Sequence, residues 1–304
     1  MDDRRYLIVG GAGYFGARLA EALMAEAKVT ITQRSISPVR STWIKRTGLQ
    51  AIAFDSAKCS QLPDVGSFDS IINLAMPGAA EAARDPEAGR TRALTTANAC
   101  LRLLNEGRAA RMVHFSTFHV YGGANRNRYE ENDVPAPVLS YGHLHLEIED
   151  MVLGHEQVVA VRPSNMVGAP AHSDLGDQVK LLFLDLCRQA ASGAMKLDND
   201  GLSYRDFLPF DDAIAAVRLL LTTKMGEHRL FNLARGETVR LDAAAQLIRQ
   251  VAGDAPAIEF GTGQDAFRRP FTVSIERLKK LGWEPRASLS DEAARIVKFF
   301  QEHA

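Results

Sequence analysis

Cysteine is scarce in this chain. Its three cysteines, Cys59, Cys100 and Cys187, stand far apart without metal-ligand spacing. That excludes a disulfide framework and any metal site built on them, and it predicts reduced, packed thiols in a cytoplasmic protein. An excess of either charge is also missing: 36 Lys and Arg face 37 Asp and Glu, for a formal net charge of −1. Nothing in that balance calls for nucleic acid or an anionic membrane surface as a partner. Long hydrophobic runs are absent too. The longest, residues 180–187, is broken by Asp185 and falls far short of a membrane span. The opening Met1-Asp2-Asp3-Arg4-Arg5 passes straight into a strand pattern, which predicts no signal-peptide core. Apolar residues, by contrast, fill 46% of 304 positions, enough to bury one large domain or two joined lobes.

Short apolar or β-branched runs predict strands at residues 6–9, 29–32, 50–54, 70–74, 112–116 and 158–162, with helical spacing at 81–105 and 140–153. Strands alternating with helices predict an α/β fold, a doubly wound parallel sheet of Rossmann type. After Pro163 the rhythm changes. Helices are expected at 177–192, 211–222 (opened by an Asp cap), 241–252 and 274–281, the last ending at Gly282. Residues 230–233 read as a strand, and 196–207 as a polar loop.

Gly10-Gly11-Ala12-Gly13-Tyr14-Phe15-Gly16 lies between the first strand and the first helix. In such a turn Gly10 permits the tight bend, Gly13 lets a pyrophosphate approach the backbone, and Gly16 allows the helix to pack closely on the sheet. The helix N-terminus then faces the anion. A strand and a helix flanking the glycines is the context that dinucleotide binding demands, so Tyr14 and Phe15 are also assigned to the cofactor site. Residues 1–165, with a return segment at about 209–235, form the expected dinucleotide-binding domain. Residues 166–208 and 236–304 form a smaller C-terminal substrate lobe. An acid about twenty residues beyond the turn would hold the 2′-hydroxyl of NAD. Thr32-Gln33-Arg34-Ser35 has no carboxylate there, and Arg34 can fork a 2′-phosphate. NADP is the predicted cofactor, with NAD left open.

Further motifs follow in order: Asp55-Ser56, Ile72-Asn73-Leu74-Ala75, Phe115-Ser116-Thr117-Phe118-His119-Val120-Tyr121-Gly122 and Tyr141-Gly142. After them come Arg162-Pro163-Ser164-Asn165-Met166-Val167-Gly168, Gly201-Leu202-Ser203-Tyr204-Arg205-Asp206-Phe207 and Leu281-Gly282-Trp283-Glu284-Pro285. With the glycine turn, this series resembles the extended short-chain dehydrogenase/reductase family, in particular its nucleotide-sugar epimerases, dehydratases and ketoreductases. The resemblance covers nearly the whole chain. It implies Tyr141 as the proton-transferring acid/base and Thr117 as the hydroxyl that holds the reacting sugar oxygen. It further implies that Asp55, Ser56, Leu74, Ala75 and Pro163 line the cofactor, and that Met76 and Asn165 face the substrate. Arg205 and Arg268 (or its neighbour Arg269) would clamp a diphosphate. A nucleotide-diphosphate sugar is the implied substrate, and a homodimer through helices beside the tyrosine helix is the implied assembly.

Two residues depart from the family pattern. Its lysine, four residues after the tyrosine, lowers the tyrosine pKa and touches the nicotinamide ribose; here His145 stands there. A histidine carries charge only below a pKa near 6.5, so its help to Tyr141 is expected to fade as pH rises. Phe118 replaces the acid that dehydratases use for water elimination and transfers no proton. His119, two residues beyond Thr117, is expected on the same strand face as a second acid/base. Together these features predict NADPH-dependent reduction of a keto group on a nucleotide-linked sugar, a 4-keto-6-deoxy sugar, with Tyr141 as proton donor. An NAD-dependent epimerase is the alternative within the enzymes, and a non-catalytic dinucleotide sensor the alternative outside them.

Overall fold

In a computed structural model, which describes residues 3–123, 126–224, 226–253 and 257–303, seven strands form one parallel sheet. They are β1 (Arg5–Val9), β2 (Lys28–Gln33), β3 (Gln50–Ala53), β4 (Phe68–Asn73), β5 (Ala109–Phe115), and the strands Val158–Pro163 and Leu230–Leu233. Their spatial order is Leu230–Leu233, Val158–Pro163, β5, β4, β1, β2, β3. β1 therefore sits where the order reverses, between β4 and β2, and a crevice opens at the carboxyl ends of these strands.

Side chains alternate across the sheet. Leu7 and Val9 of β1 join one core, while Tyr6 and Ile8 join the other. The first helices are α1 (Tyr14–Leu23), α2 (Pro38–Thr47), α3 (Ala79–Arg84), α4 (Pro86–Asn105) and α5 (Ser140–Leu153). They are followed by α6 (Ser173–Gln178), α7 (Leu182–Ala191) and α8 (Phe210–Thr222). α4 and α5 cover the Leu7 face, through residues such as Ala97, Leu104, Ile148 and Val152. α1 and α8 cover the other, through Leu19, Leu23, Val217 and Leu220. A third core is separate. There α7 packs with α9 (Leu241–Val251) and the C-terminal helix Leu289–Glu302, through Phe183, Leu186, Ile248 and Ile296.

The fold differs from the sequence reading at several points. The helix expected at 81–105 is two helices. Pro86 lacks the N–H that would continue α3, and Asp85 caps α4 by accepting from the Ala88 N–H at 3.0 Å. The helix expected at 177–192 is likewise broken, because Val179 is extended between α6 and α7. Residues 196–207 are not a plain loop. Met195–Asn199 is a strand paired with Ile258–Gly263, and its buried Met195 and Leu197 alternate with exposed Lys196 and Asp198. α8 has no Asp cap: Pro209 is its N-cap, and Asp211, already inside the helix, pairs with Arg295 at 2.9 Å instead. The helix expected at 274–281 shortens to Glu276–Lys280, with Gly282 at φ 93° after it.

Candidate active site

The glycine turn bends as its residues require. Gly10 has φ 83°, a left-handed conformation that favours glycine. The close packing, however, is divided differently from expectation. A Cβ on Gly11 would lie 2.6 Å from the Ile31 side chain of β2, whereas one on Gly16 would strike the Gly10 carbonyl at 2.6 Å. Gly11 thus seats the turn on the sheet, and Gly16 lets α1 close over the turn itself. Gly13 is the N-cap of α1 and offers no side-chain cap, so the helix end stays free for an anion.

From this turn a groove of about 550 Å³ runs along the carboxyl ends of β1, β2 and β4. Gly10, Gly13, Tyr14, Arg34, Ser56, Leu74 and Ala75, assigned to the cofactor from sequence, line it, and so does Met76, which was expected to face the substrate. Six others assigned to the cofactor, Phe15, Gly16, Asp55, Tyr141, His145 and Pro163, do not. The Phe15 ring is buried against Phe115 and Phe210, so at most its backbone faces the groove. Asp55 turns its carboxylate to the Ala57 N–H at 3.1 Å and to Lys58 at 3.6 Å, stabilising its own turn. Pro163 is buried at the end of its strand. Arg40, Glu81, Arg92, Leu175 and Val179 also belong to the wall, and no spacing in the chain announces them, because they come from α2, α3, α4 and the α6 region. α6 reaches α2 through a hydrogen bond from Ser37 to Asp174 and through His172 against Trp43.

The groove wall retains buried polar atoms without partners among the described residues: Gln33 Oε1, Arg40 Nε and Arg92 Nε. Such atoms are costly unless a ligand or water satisfies them. With the free helix end, they fit a dinucleotide phosphate and ribose.

Beside the groove lie the residues of acid–base type. Thr117 caps a single 3-10 turn, Phe118–Tyr121, by accepting from the His119 N–H at 3.3 Å. His119 is therefore on that turn and not on a strand face, since the chain leaves β5 at Phe115. It still comes near Tyr141, with ring centroids 5.8 Å apart. Gly142 makes this approach workable, because a Cβ there would meet the His119 carbonyl at 2.7 Å. Phe118 is buried in an aromatic cluster and stacks on Phe271.

Tyr141 is half-buried, and the desolvation of its phenol raises it above the usual 10; a hydrogen bond with Thr117 pulls the other way. The His145 ring packs against it, with centroids 4.3 Å apart. Burial pushes His145 down to about 3, His114 and His119 push it the same way, and the Pro77 backbone opposes them. His145 is thus neutral throughout the ordinary pH range, and the expected pH-dependent charge is absent. Neither of its ring nitrogens has a partner at hydrogen-bonding geometry among the described residues.

His114, wholly buried, is held down to about 4 by burial. The Asn73 Oδ1 accepts from the Ala75 N–H at 3.2 Å, so its Nδ2 donates to His114 Nδ1 at 3.2 Å. That leaves the neutral His114 ring protonated at Nε2. Burial lowers His119 as well; Arg205 reinforces this and Asp265 opposes it.

The expected substrate contacts are already engaged. Arg205 pairs with Asp265 and lies over the Phe267 ring, 5.4 Å from its centroid. Arg268 Nη1 pairs with Asp200 at 2.6 Å. The Asn165 Nδ2 donates to the Asp206 carbonyl at 3.0 Å, leaving its oxygen on an exposed side chain. Asp206 itself is structural: wholly buried, it accepts from Ser164, Arg235 N and Gly236 N. Burial outweighs those bonds and pushes it up to about 6.

Residues 6–234 match the model of the NAD dependent epimerase/dehydratase family. The chain belongs to that family. It is an NAD(P)-dependent enzyme of the oxidoreductase or epimerase type. A curated relative, dTDP-6-deoxy-L-talose 4-dehydrogenase (NAD(P)(+)) of Kitasatospora kifunensis, is 27% identical over 96% of this chain and 94% of its own. Among solved structures, UDP-glucuronic acid 4-epimerase from Bacillus cereus, in complex with UDP-glucuronic acid and NAD, superimposes with a TM-score of 0.83. It is 21% identical, over 99% of this chain and 100% of the other. RMD from Pseudomonas aeruginosa, complexed with NADPH, gives 0.78 at 20% identity over 99% and 100%. These likenesses establish the Rossmann-type fold. Among the described residues, no helix is long and apolar enough to cross a membrane, and no group of side chains is arranged to hold a metal ion.

Proposed function

We propose that this enzyme reduces a keto group on a nucleotide-linked sugar, a 4-keto-6-deoxy sugar, with NADPH as reductant and Tyr141 as proton donor. The observation that carries the reading is the state of Tyr141. Its phenol is half-buried, raised above its ordinary pKa by desolvation, and no cation among the described residues lies against it. A site so built holds the proton on the phenol, which suits donation better than abstraction. The similarity to a 4-dehydrogenase of a 6-deoxy sugar supports the substrate class, because reduction of a 4-keto group is that reaction reversed.

When bound, the nicotinamide supplies the hydride. The residues of this chain then have separate tasks. The N-terminal end of α1, with Gly13 at its cap, holds the pyrophosphate. Arg34 and Arg40, flanking the end of β2, face the adenosine ribose and its 2′-phosphate. His145, one helical turn after Tyr141, offers its ring nitrogens to a ribose hydroxyl without adding charge. Thr117 holds the keto oxygen, and Tyr141 passes its Oη proton to that oxygen as it gains negative charge. Phe118 leaves no acid for 4,6-dehydration. The lobe of residues 166–208 and 236–304 receives the sugar nucleotide. For Arg205 and Arg268 to grip a diphosphate, they exchange Asp265 and Asp200 for it.

The NAD-dependent epimerase reading has one observation in its favour. α6 lines the groove through Leu175 and is fastened by the Ser37–Asp174 bond, which suits a cofactor kept through many turnovers. A turnover assay with NADPH and NADH across 4-keto nucleotide sugars tests the choice. NADPH consumption matched by sugar reduction is the expected result. Purified protein that retains stoichiometric NAD and ignores added NADPH would contradict it.

A further inference from the structure

The end of β2 is where a Rossmann fold meets the adenosine ribose. Here Thr32, Gln33, Arg34 and Ser35 line the groove. Three arginines reach this wall from three elements: Arg34 after β2, Arg40 in the first turn of α2, and Arg92 from α4. Arg40 is anchored by its bond to the Ser35 carbonyl at 2.6 Å. Among the described lining residues a single carboxylate answers them, that of Glu81 on α3. Glu81 forms an ion pair with Arg92, and the same oxygen lies 4.0 Å from Arg34 Nη1. Glu81 and Arg92 are mostly buried, with about a fifth to a quarter of each side chain exposed (21% and 24%), so water screens their attraction only in part.

We infer that Glu81 is a specificity-determining residue that sets the cofactor choice of this groove. Its carboxylate engages guanidinium groups that a 2′-phosphate needs, so the phosphate must displace it or share them with it. A 2′-hydroxyl meets no such competition and donates to the carboxylate. The acid that NAD-binding folds carry at the end of the second strand is thus supplied from α3. Three arginines against one glutamate still leave the wall positive, so the phosphate is admitted, but with its advantage reduced. This inference rests on the groove being the dinucleotide site; it does not depend on which sugar is reduced.

The test is binding without sugar. Calorimetric Kd values for NADPH and NADH are measured with the parent enzyme, Glu81→Gln, Arg34→Ala and the double variant. Glu81→Gln is expected to tighten NADPH about tenfold, close to the energy of one charge-assisted hydrogen bond, and to leave NADH unchanged or weaker. In the Arg34→Ala background that gain should shrink to about twofold or less. Equal shifts for both dinucleotides, or an NADPH Kd within about twofold of the parent, would overturn the role of Glu81. Failure of the parent to bind either dinucleotide would overturn the groove assignment with it. Failure of keto reduction in the turnover assay leaves these binding results standing.

Discussion

The two ends of the proposed site, the groove and the acid–base cluster beside it, are built on opposite electrostatics. At the groove end Arg34 and Arg92 share the Glu81 carboxylate, Arg40 is tied to Ser35, and buried polar atoms are without partners among the described residues. At the acid–base end His145 and His114 are buried and held neutral at ordinary pH, and the half-buried Tyr141 phenol is raised above its usual 10. Charge grips an anionic ligand firmly in a partly desolvated groove. Neutrality keeps a proton where it can be given away. In the proposed mechanism binding and chemistry therefore rest on different residues, and changes at one end should leave the other intact.

The sharpest way to break this division is Tyr141→Phe. Loss of the proton donor should lower turnover by about 10²–10⁴-fold, while NADPH affinity stays within about twofold. Stopped-flow turnover and a binding titration on the same preparation check both halves. Next in size is the pair Arg34→Ala with Arg40→Ala. Two charge-assisted contacts to a 2′-phosphate should weaken NADPH by about 10–100-fold while NADH changes little. kcat at saturating NADPH should hold; a fall in kcat would show that the two ends are coupled.

His145→Lys tests the neutral end. A cation beside the phenol should lower its pKa by about one unit or more. The alkaline limb at which reduction loses its proton donor should then move to lower pH, by the same amount in a pH–rate profile. The smallest effect concerns stability. The unfolded ring of His145 charges below its ordinary 6.5, while the folded one resists until about 3. Unfolding therefore takes up a proton in that window, and stability falls as pH drops through it by up to about 1.4 kcal/mol per pH unit. His145→Gln should remove that share, so the urea midpoints of parent and variant should diverge only below about pH 6.5.

How legible each end was follows from how its residues are assembled. Gly10, Gly13 and Tyr14 sit in one local turn whose backbone demands are written in adjacent letters, and Tyr141 and His145 are one turn apart on one helix. Such short-range patterns survive folding unchanged. Glu81, Arg40 and Arg92 come together only because α2, α3 and α4 converge on the ends of β2 and β4, which no spacing in the chain announces. His119 was misplaced because period-two reasoning ran past the end of β5 into a 3-10 turn. The charge on His145 is illegible for a related reason: its identity is readable, but the burial that neutralises it comes from the packing of α5 against α3, α4 and the 3-10 turn. Arg205 and Arg268 are expected from sequence to clamp a diphosphate, but their partners Asp265 and Asp200 are distant in sequence and meet them only in the folded chain.

The most direct test of a neutral site that gives up the Tyr141 proton is the pH dependence of NADPH-driven reduction of a 4-keto-6-deoxy nucleotide sugar, followed in single turnovers from about pH 5.5 to 10. The predicted profile is flat through the histidine range and falls only as the phenol itself loses its proton, above its ordinary value of 10. A rate that declines as pH rises through about 6.5 would mean that a charged His145 drives the chemistry, and would contradict the account.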